Sequence, residues 1–209
     1  MPVLYYSPET RATRIIGQLI AMDKLDAVEV KIVDIIKSDG SGRIDPDNAH
    51  PEGKVPYLIT DDGEHIRESA AIMMYLDELF GSPLGVPVGA KGRGTFLSWM
   101  AYYGGVLEPA MVAHFGKIDH PVMASNFRSM TEVGAQIASG LGDKPFLLGD
   151  KVTIADLIMS SAFTWAPNLA PDIDTVKDWI ARVMETQDGA ALMAYEAQAK
   201  EALNAAEMA

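Results

Sequence analysis

Along the first eighty residues the apolar positions change spacing several times, and each change marks an element. Val3-Leu4-Tyr5-Tyr6 is a short buried-strand candidate, and Ser7-Pro8-Glu9 after it has the order of a helix start: a capping hydroxyl, a proline in the first turn and an acid at the positive end. Ile15, Leu19 and Met22, with Ile16 and Ile20 beside them, give that helix a broad apolar face as far as about Met22. Val28 to Ile35 is β-branched and partly alternating, which predicts a second strand, whereas Lys37 to Ala49 is rich in Gly, Ser, Asp and Pro and predicts a loop. Val55-Pro56-Tyr57-Leu58-Ile59 is a third strand whose proline removes a ladder donor at its start. Asp61-Asp62-Gly63 turns the chain back into a short strand at Glu64 to Ile66. Ala70, Ile72, Met73, Leu76 and Phe80 then recur at helical spacing, with Ser69 placed to cap.

Residues 81–89, with five Gly or Pro, read as a linker, so we expect one domain over 1–80 and a second over 90–209. Every later apolar pattern is helical: about Lys91 to Phe115, Pro121 to Ser139, Ile154 to Trp165, Thr175 to Glu185 and Ala190 to Ala206. Gly104, Gly105 and Pro109 predict a bend in the first of these. The fold class expected is thus α/β followed by all-α.

Composition narrows the chemistry. Hydrophobic residues make up 48% and charged residues 22%, as in an ordinary folded protein rather than a disordered one. The start of the chain has no basic region followed by a long apolar run, and no stretch reaches transmembrane length, so the expected location is cytoplasmic with no membrane partner. The net charge of −12 is shared by both parts, with 8 basic and 15 acidic residues up to Phe80 and 9 and 14 beyond it; with no Lys/Arg run, nucleic acid is excluded as an expected partner. The absence of cysteine removes disulfides, thiolate metal sites and cysteine nucleophiles. His50, His65, His114 and His120 lack paired ligand spacing, so no metal is expected.

The proline-started strand, the hairpin and the capped helix place exposed amides beside a helix N-terminus, an arrangement that suits a carboxylate. Gly53-Lys54-Val55-Pro56 followed by Glu68-Ser69-Ala70-Ala71-Ile72 resembles the glutathione-binding signature of the cytosolic glutathione transferases. Leu148-Gly149-Asp150-Lys151-Val152-Thr153-Ile154-Ala155-Asp156 is similar to that family's motif at the buried helix of its C-terminal domain, with Thr153 and Asp156 spaced as a capping box. The resemblance implies a thioredoxin-like N-terminal domain followed by a helical bundle, with a cis bond before Pro56. It also implies main-chain pairing of Val55 with the cysteinyl part of glutathione, and Glu68 and Ser69 on the γ-glutamyl group. Arg11 and Lys54 complete the expected glutathione set. His50 stands where relatives often carry Asn before Pro, which departs from the family's local pattern.

The same resemblance puts the thiol-activating group at the end of the first strand, where a hydroxyl donor would favour thiolate over thiol. Alignment on Ser-Pro assigns that role to Ser7, alignment on Ala12-Thr13-Arg14 assigns it to Thr10, and Tyr6 fits only with two residues deleted; Arg11 or backbone amides are the remaining candidates. Serving only as a cap (Ser7) or as first-turn filler (Thr10) is the structural alternative. Trp99, Tyr102, Tyr103 and Phe115 are candidates to line an electrophile pocket, although helical spacing alone makes such residues core or dimer contacts more often than ligand contacts. The activity implied is a detoxifying transferase: a homodimer with no permanent cofactor, taking glutathione as co-substrate and a small hydrophobic electrophile. A glutathione-dependent lyase, dehalogenase or peroxidase, or a non-catalytic glutathione-binding protein, shares the same motifs.

Overall fold

A computed structural model describes residues 1–207. In chain order its elements are β1 (Val3–Tyr6), α1 (Thr13–Ala21), β2 (Glu29–Ile32), β3 (Tyr57–Ile59), β4 (His65–Ile66), α2 (Ser69–Leu79), α3 (Arg93–Tyr102), α4 (Glu108–Phe115), α5 (Pro121–Asn126), α6 (Met130–Leu141), α7 (Ile154–Trp165), α8 (Asp174–Glu185) and α9 (Gly189–Glu207). The chain divides into two compact units, Met1–Leu76 with Gln187–Ala209 and Asp77–Thr186.

The first unit is thioredoxin-like. Its sheet has the order β2-β1-β3-β4, with β1 parallel to β2 and antiparallel to β3, and β3 antiparallel to β4. Successive residues of β1 face opposite sides. Tyr5 joins Val33 and Tyr57 in a cluster packed with Val3, Val55 and Ile59, while Leu4 and Tyr6 point the other way and are fully buried. Ile15, Ile16 and Leu19 of α1 and Ile72, Met73 and Leu76 of α2 supply the rest of the core. Buried Gln18 ties the two helices together by donating from Nε2 to the Met73 carbonyl at 2.8 Å. Tyr57 fixes the β3–β4 hairpin through a 2.7 Å hydrogen bond between its hydroxyl and His65 Nδ1.

Three expectations are corrected. The first helix starts at Thr13 rather than at Ser7-Pro8-Glu9: Glu9 has φ 59°, in the left-handed region, so the chain turns through Pro8–Ala12 before the helix begins, and its N-cap Ala12 supplies no side-chain bond. The second strand ends at Ile32, because the buried Asp34 carboxylate takes the N–H groups of Ile35 and Arg43 at 2.8 and 2.9 Å and turns this backbone away from the sheet. The helix expected over Pro121 to Ser139 is two: Phe127 is extended, and Ser129 caps α6 by accepting from Glu132 N–H while the Glu132 carboxylate accepts from Ser129 N–H.

The second unit is helical. Where a bend was expected, a π-helical turn over Tyr103–Leu107 joins α3 directly to α4, and Pro109 follows it as the second residue of α4. α7 runs through the middle of this unit, with every residue from Ile154 to Ser160 buried. Its Asp156 is a hub. One carboxylate oxygen accepts from Leu147 N–H at 2.8 Å and from Trp179 Nε1 at 2.9 Å, and the other accepts from the N–H and the hydroxyl of Thr153 at 2.9 and 2.8 Å. The expected linker is fastened to the same unit: the Leu84 carbonyl accepts the first N–H of α7, from Ile154, and Leu84 N–H donates to buried Asp77.

The segment from Ala190, read from sequence with the helical part, packs in the first unit instead. Leu192 lies against Gly17 of α1, at van der Waals distance from where a Cβ there would sit. A spacing of apolar residues specifies that a helix has a buried face, not which neighbour it meets. Of the expected 90–209 stretch, Met208 and Ala209 lie outside the described residues.

Candidate functional site

Sheet register brings the two halves of the signature to one end of the first unit. β1 pairs with β3 through Tyr5 and Tyr57, and β3 with β4 through Leu58 and Ile66. These antiparallel registers put the end of β1, the start of β3 and the end of β4, which leads through Arg67 and Glu68 into α2, at one end of the sheet. The end of β1, the start of β3 and the start of α2 therefore form one edge, although their residues lie far apart in sequence. The Val55–Pro56 bond is cis, as the resemblance implied. Val55 precedes the first β3 residue by two positions, half-buried, while Lys54 beside it is exposed and gives its carbonyl to Asn48 Nδ2 at 3.3 Å.

Glu68 has φ 70°, an unusual conformation for a residue with a Cβ and one that costs about 1–2 kcal/mol. The Glu68 carbonyl accepts Ile72 N–H at 3.0 Å, so the helix begins directly after it and its exposed carboxylate stands at the positive end. Ser69, 8% exposed, opens the helix. His50 is buried against the Tyr57 ring, and its Nδ1 accepts Glu52 N–H at 3.0 Å. Burial lowers its pKa below the ordinary value, so this imidazole serves as a neutral turn-forming group. Arg67 pairs with Glu52 at 3.9 Å, with both side chains exposed.

The three hydroxyl candidates at the end of β1 differ in what they already donate to. Tyr6 is buried and its hydroxyl donates to Glu196 of α9; burial first, and then the Glu196 carboxylate, push its pKa far above the ordinary phenol value. Thr10 donates to the Ser7 carbonyl at 2.6 Å and accepts Ala12 N–H at 3.2 Å. Ser7 is fully buried, and its Oγ has no hydrogen-bond partner among the described residues. An unsatisfied buried hydroxyl costs about 1–3 kcal/mol, so this donor is the uncommitted one of the three. Arg11 is exposed in the same turn.

Sequence reasoning missed the partners supplied by α9. Glu196 accepts from Thr13 Oγ1 and from Glu9 N–H, both at 2.7 Å, in addition to Tyr6. Lys200 binds the Glu9 carboxylate at 2.8 Å and holds it below the usual carboxylate range. The Glu196 and Lys200 pair, four residues apart on one helix, was the available signal, but nothing local connects it with a loop at the other end of the chain.

In the second unit the four aromatic candidates separate. Trp99 and Tyr103 are 6% and 4% exposed; Trp99 lies over Gly140, where a Cβ would overlap its ring, and the Tyr103 hydroxyl donates to Glu108 at 3.0 Å. Tyr102 is half-buried, edge-on to Trp99. Phe115 is exposed and stacks edge-on with exposed Trp165, ring centres 5.6 Å apart. Among the described residues no group of His, Cys, Asp or Glu is arranged to hold a metal ion, and no helix is long and apolar enough to cross a membrane.

The combination of a thioredoxin-like unit bearing this edge with a helical unit defines a two-part architecture, and comparison with known proteins gives it a family. Residues 3–84 match the glutathione S-transferase N-terminal domain and residues 102–187 the glutathione S-transferase C-terminal domain. The chain belongs to the glutathione S-transferase family. It is 29% identical over 136 residues to glutathione S-transferase GstA of Escherichia coli O157:H7, covering 64% of this chain and 68% of that protein. A glutathione S-transferase structure from Actinobacillus pleuropneumoniae superposes with a TM-score of 0.72 at 22% identity, over 98% of this chain and 93% of that one. A sphingomonad glutathione S-transferase complexed with glutathione superposes with a TM-score of 0.68 at 22% identity, over 93% and 98%. At these identities the solved structures speak for the fold.

Proposed function

We propose that this protein is a glutathione transferase that ionises the thiol of bound glutathione for attack on a hydrophobic electrophile. The observation that carries the reading is that the strand ends leading to Ser7, to the cis Val55–Pro56 bond and to Glu68-Ser69 lie at one end of the sheet. Val55 offers its backbone to the cysteinyl part, and Glu68 and Ser69 at the start of α2 take the γ-glutamyl group, with Arg11 and Lys54 as nearby cations for a strongly acidic chain. Ser7 is the favoured thiol activator, because the hydroxyls of Thr10 and Tyr6 already donate within the chain. For the electrophile, Tyr102 and Phe115 are the accessible members of the aromatic set, and buried Trp99 packs edge-on against Tyr102. The proposal includes a cytoplasmic homodimer with no permanent cofactor and a detoxifying role.

A second reading, a glutathione-binding protein without turnover, is favoured by one observation: no candidate hydroxyl is both exposed and free to donate. Calorimetric titration with glutathione, followed by a screen of halonitroaromatics, hydroperoxides and aryl thioethers, separates the readings. The transferase predicts binding at or below millimolar concentration and conjugate formation with a halonitroaromatic. Turnover confined to hydroperoxides or thioethers reassigns the reaction to a peroxidase or a lyase. Binding without any turnover supports the second reading, and no binding at millimolar glutathione removes both.

A further inference from the structure

Glu9 lies between Ser7 and Thr10, and it adopts a backbone conformation that a residue with a Cβ keeps only when its surroundings impose it. Two residues of α9 impose it from two directions. Glu196 accepts the Glu9 N–H at 2.7 Å and Lys200 holds the Glu9 carboxylate at 2.8 Å. Residues four apart share a face of a helix, so one surface of α9 grips both the backbone and the side chain of the same loop residue. The same Glu196 carboxylate also takes the Tyr6 hydroxyl at the end of β1 and the Thr13 hydroxyl at the start of α1. The loop is thereby fastened at its beginning, its middle and its end to one side chain.

We propose that Glu196, assisted by Lys200, is a positioning residue that sets the Ser7–Thr10 loop in the geometry required to ionise bound glutathione. This rests on the transferase reading above. A purely structural clamp would affect stability alone, whereas a positioning residue acts on the bound thiol through the loop.

The test measures the pKa of bound glutathione by thiolate absorbance, together with glutathione affinity and kcat, in Glu196→Gln, Glu196→Ala and the double variant Glu9→Gly with Glu196→Ala. Glutamine can keep an oxygen on the Tyr6 and Thr13 hydroxyls but then turns its amide N–H₂ towards the Glu9 N–H, so it loosens Glu9 with least harm to the fold. Both single variants are expected to raise the thiol pKa by about one unit and to lower kcat about tenfold below that pKa, with glutathione affinity within about twofold of wild type. Glycine adopts the left-handed conformation without help. Glu9→Gly is therefore expected to recover most of the kcat and pKa lost in Glu196→Ala.

An unchanged thiol pKa in folded Glu196→Gln overturns the inference and leaves Glu196 a structural clamp. So does a double variant that regains thermal stability but not the pKa. Should Glu196→Ala not fold, Glu196→Gln alone decides. If the wild type itself binds no glutathione, the transferase reading fails and takes this inference with it; if the wild type lowers the thiol pKa and the variants do likewise, only the inference fails.

Discussion

Asp156→Ala is expected to lower unfolding free energy by about 3–5 kcal/mol, because it leaves several buried neutral donors without an acceptor. The substitution deletes a fully buried carboxylate and strands the N–H groups of Leu147 and Thr153 and the indole N–H of Trp179. Each buried donor left without an acceptor costs about 1–3 kcal/mol, which exceeds the loss of an ordinary helix cap of about 0.5–2 kcal/mol. In a chain of this length the loss corresponds to a fall in Tm of roughly 6–20 °C. Thermal unfolding monitored by circular dichroism reads it directly. Asp156→Asn, which keeps one oxygen but turns an N–H₂ group towards donors, is expected to recover only part of the loss. A decrease in Tm of less than about 3 °C for the alanine variant would remove Asp156 from its place as the hub of the helical unit.

Glu68→Ala is expected to weaken glutathione binding about 10- to 150-fold, the equivalent of one charge-assisted hydrogen bond of roughly 1.5–3 kcal/mol. The exposure of Glu68 in the free protein places the effect toward the lower end, because solvent competes for the carboxylate. Folding is expected to change little, since alanine and glutamate pay the same cost for φ 70°. Glu68→Gly separates the two contributions: it loses the carboxylate and with it the affinity, yet is expected to be more stable than Glu68→Ala because glycine carries no Cβ penalty. Calorimetry and thermal unfolding on the same three proteins measure both. Unchanged affinity in Glu68→Ala takes Glu68 out of the binding site.

The signature edge was legible in the sequence because its determinants are local. A proline at the start of a β-rich run, an Asp-Gly turn and a Ser at a helix start each act within a few residues, and the sheet register then brings them together. Thr153 and Asp156 were legible as a capping pair for the same reason, but not as a hub, because Leu147 and Trp179 reach Asp156 through the fold. The start of α1 was misjudged where a distant contact overrides a local rule. Ser7-Pro8-Glu9 has the chemistry of a cap, yet Glu196, 187 residues further on, holds Glu9 in the left-handed region. Ser129 and Glu132 carried a readable capping box that splits the expected helix, and the apolar spacing on either side masked it. Helical spacing likewise could not separate Trp99 and Tyr103, which fill the core, from Phe115, which is exposed.

The proposed transferase activity depends on the end of β1 ionising a thiol. The most direct measurement is the pH dependence of thiolate absorbance for glutathione bound to the wild-type protein, repeated on Ser7→Ala and Thr10→Ala. A free cysteine thiol ionises near a pKa of about 8.5, and a hydroxyl donor favours the charged form. In the wild type the bound thiol is expected to ionise well below that value. Ser7→Ala should raise it by about one to two units, or roughly 1.4–2.7 kcal/mol, with glutathione still held through Glu68, Ser69 and Val55. Thr10→Ala should leave it nearly unchanged. A wild-type protein that binds glutathione tightly with an ordinary thiol pKa is not a transferase of this kind.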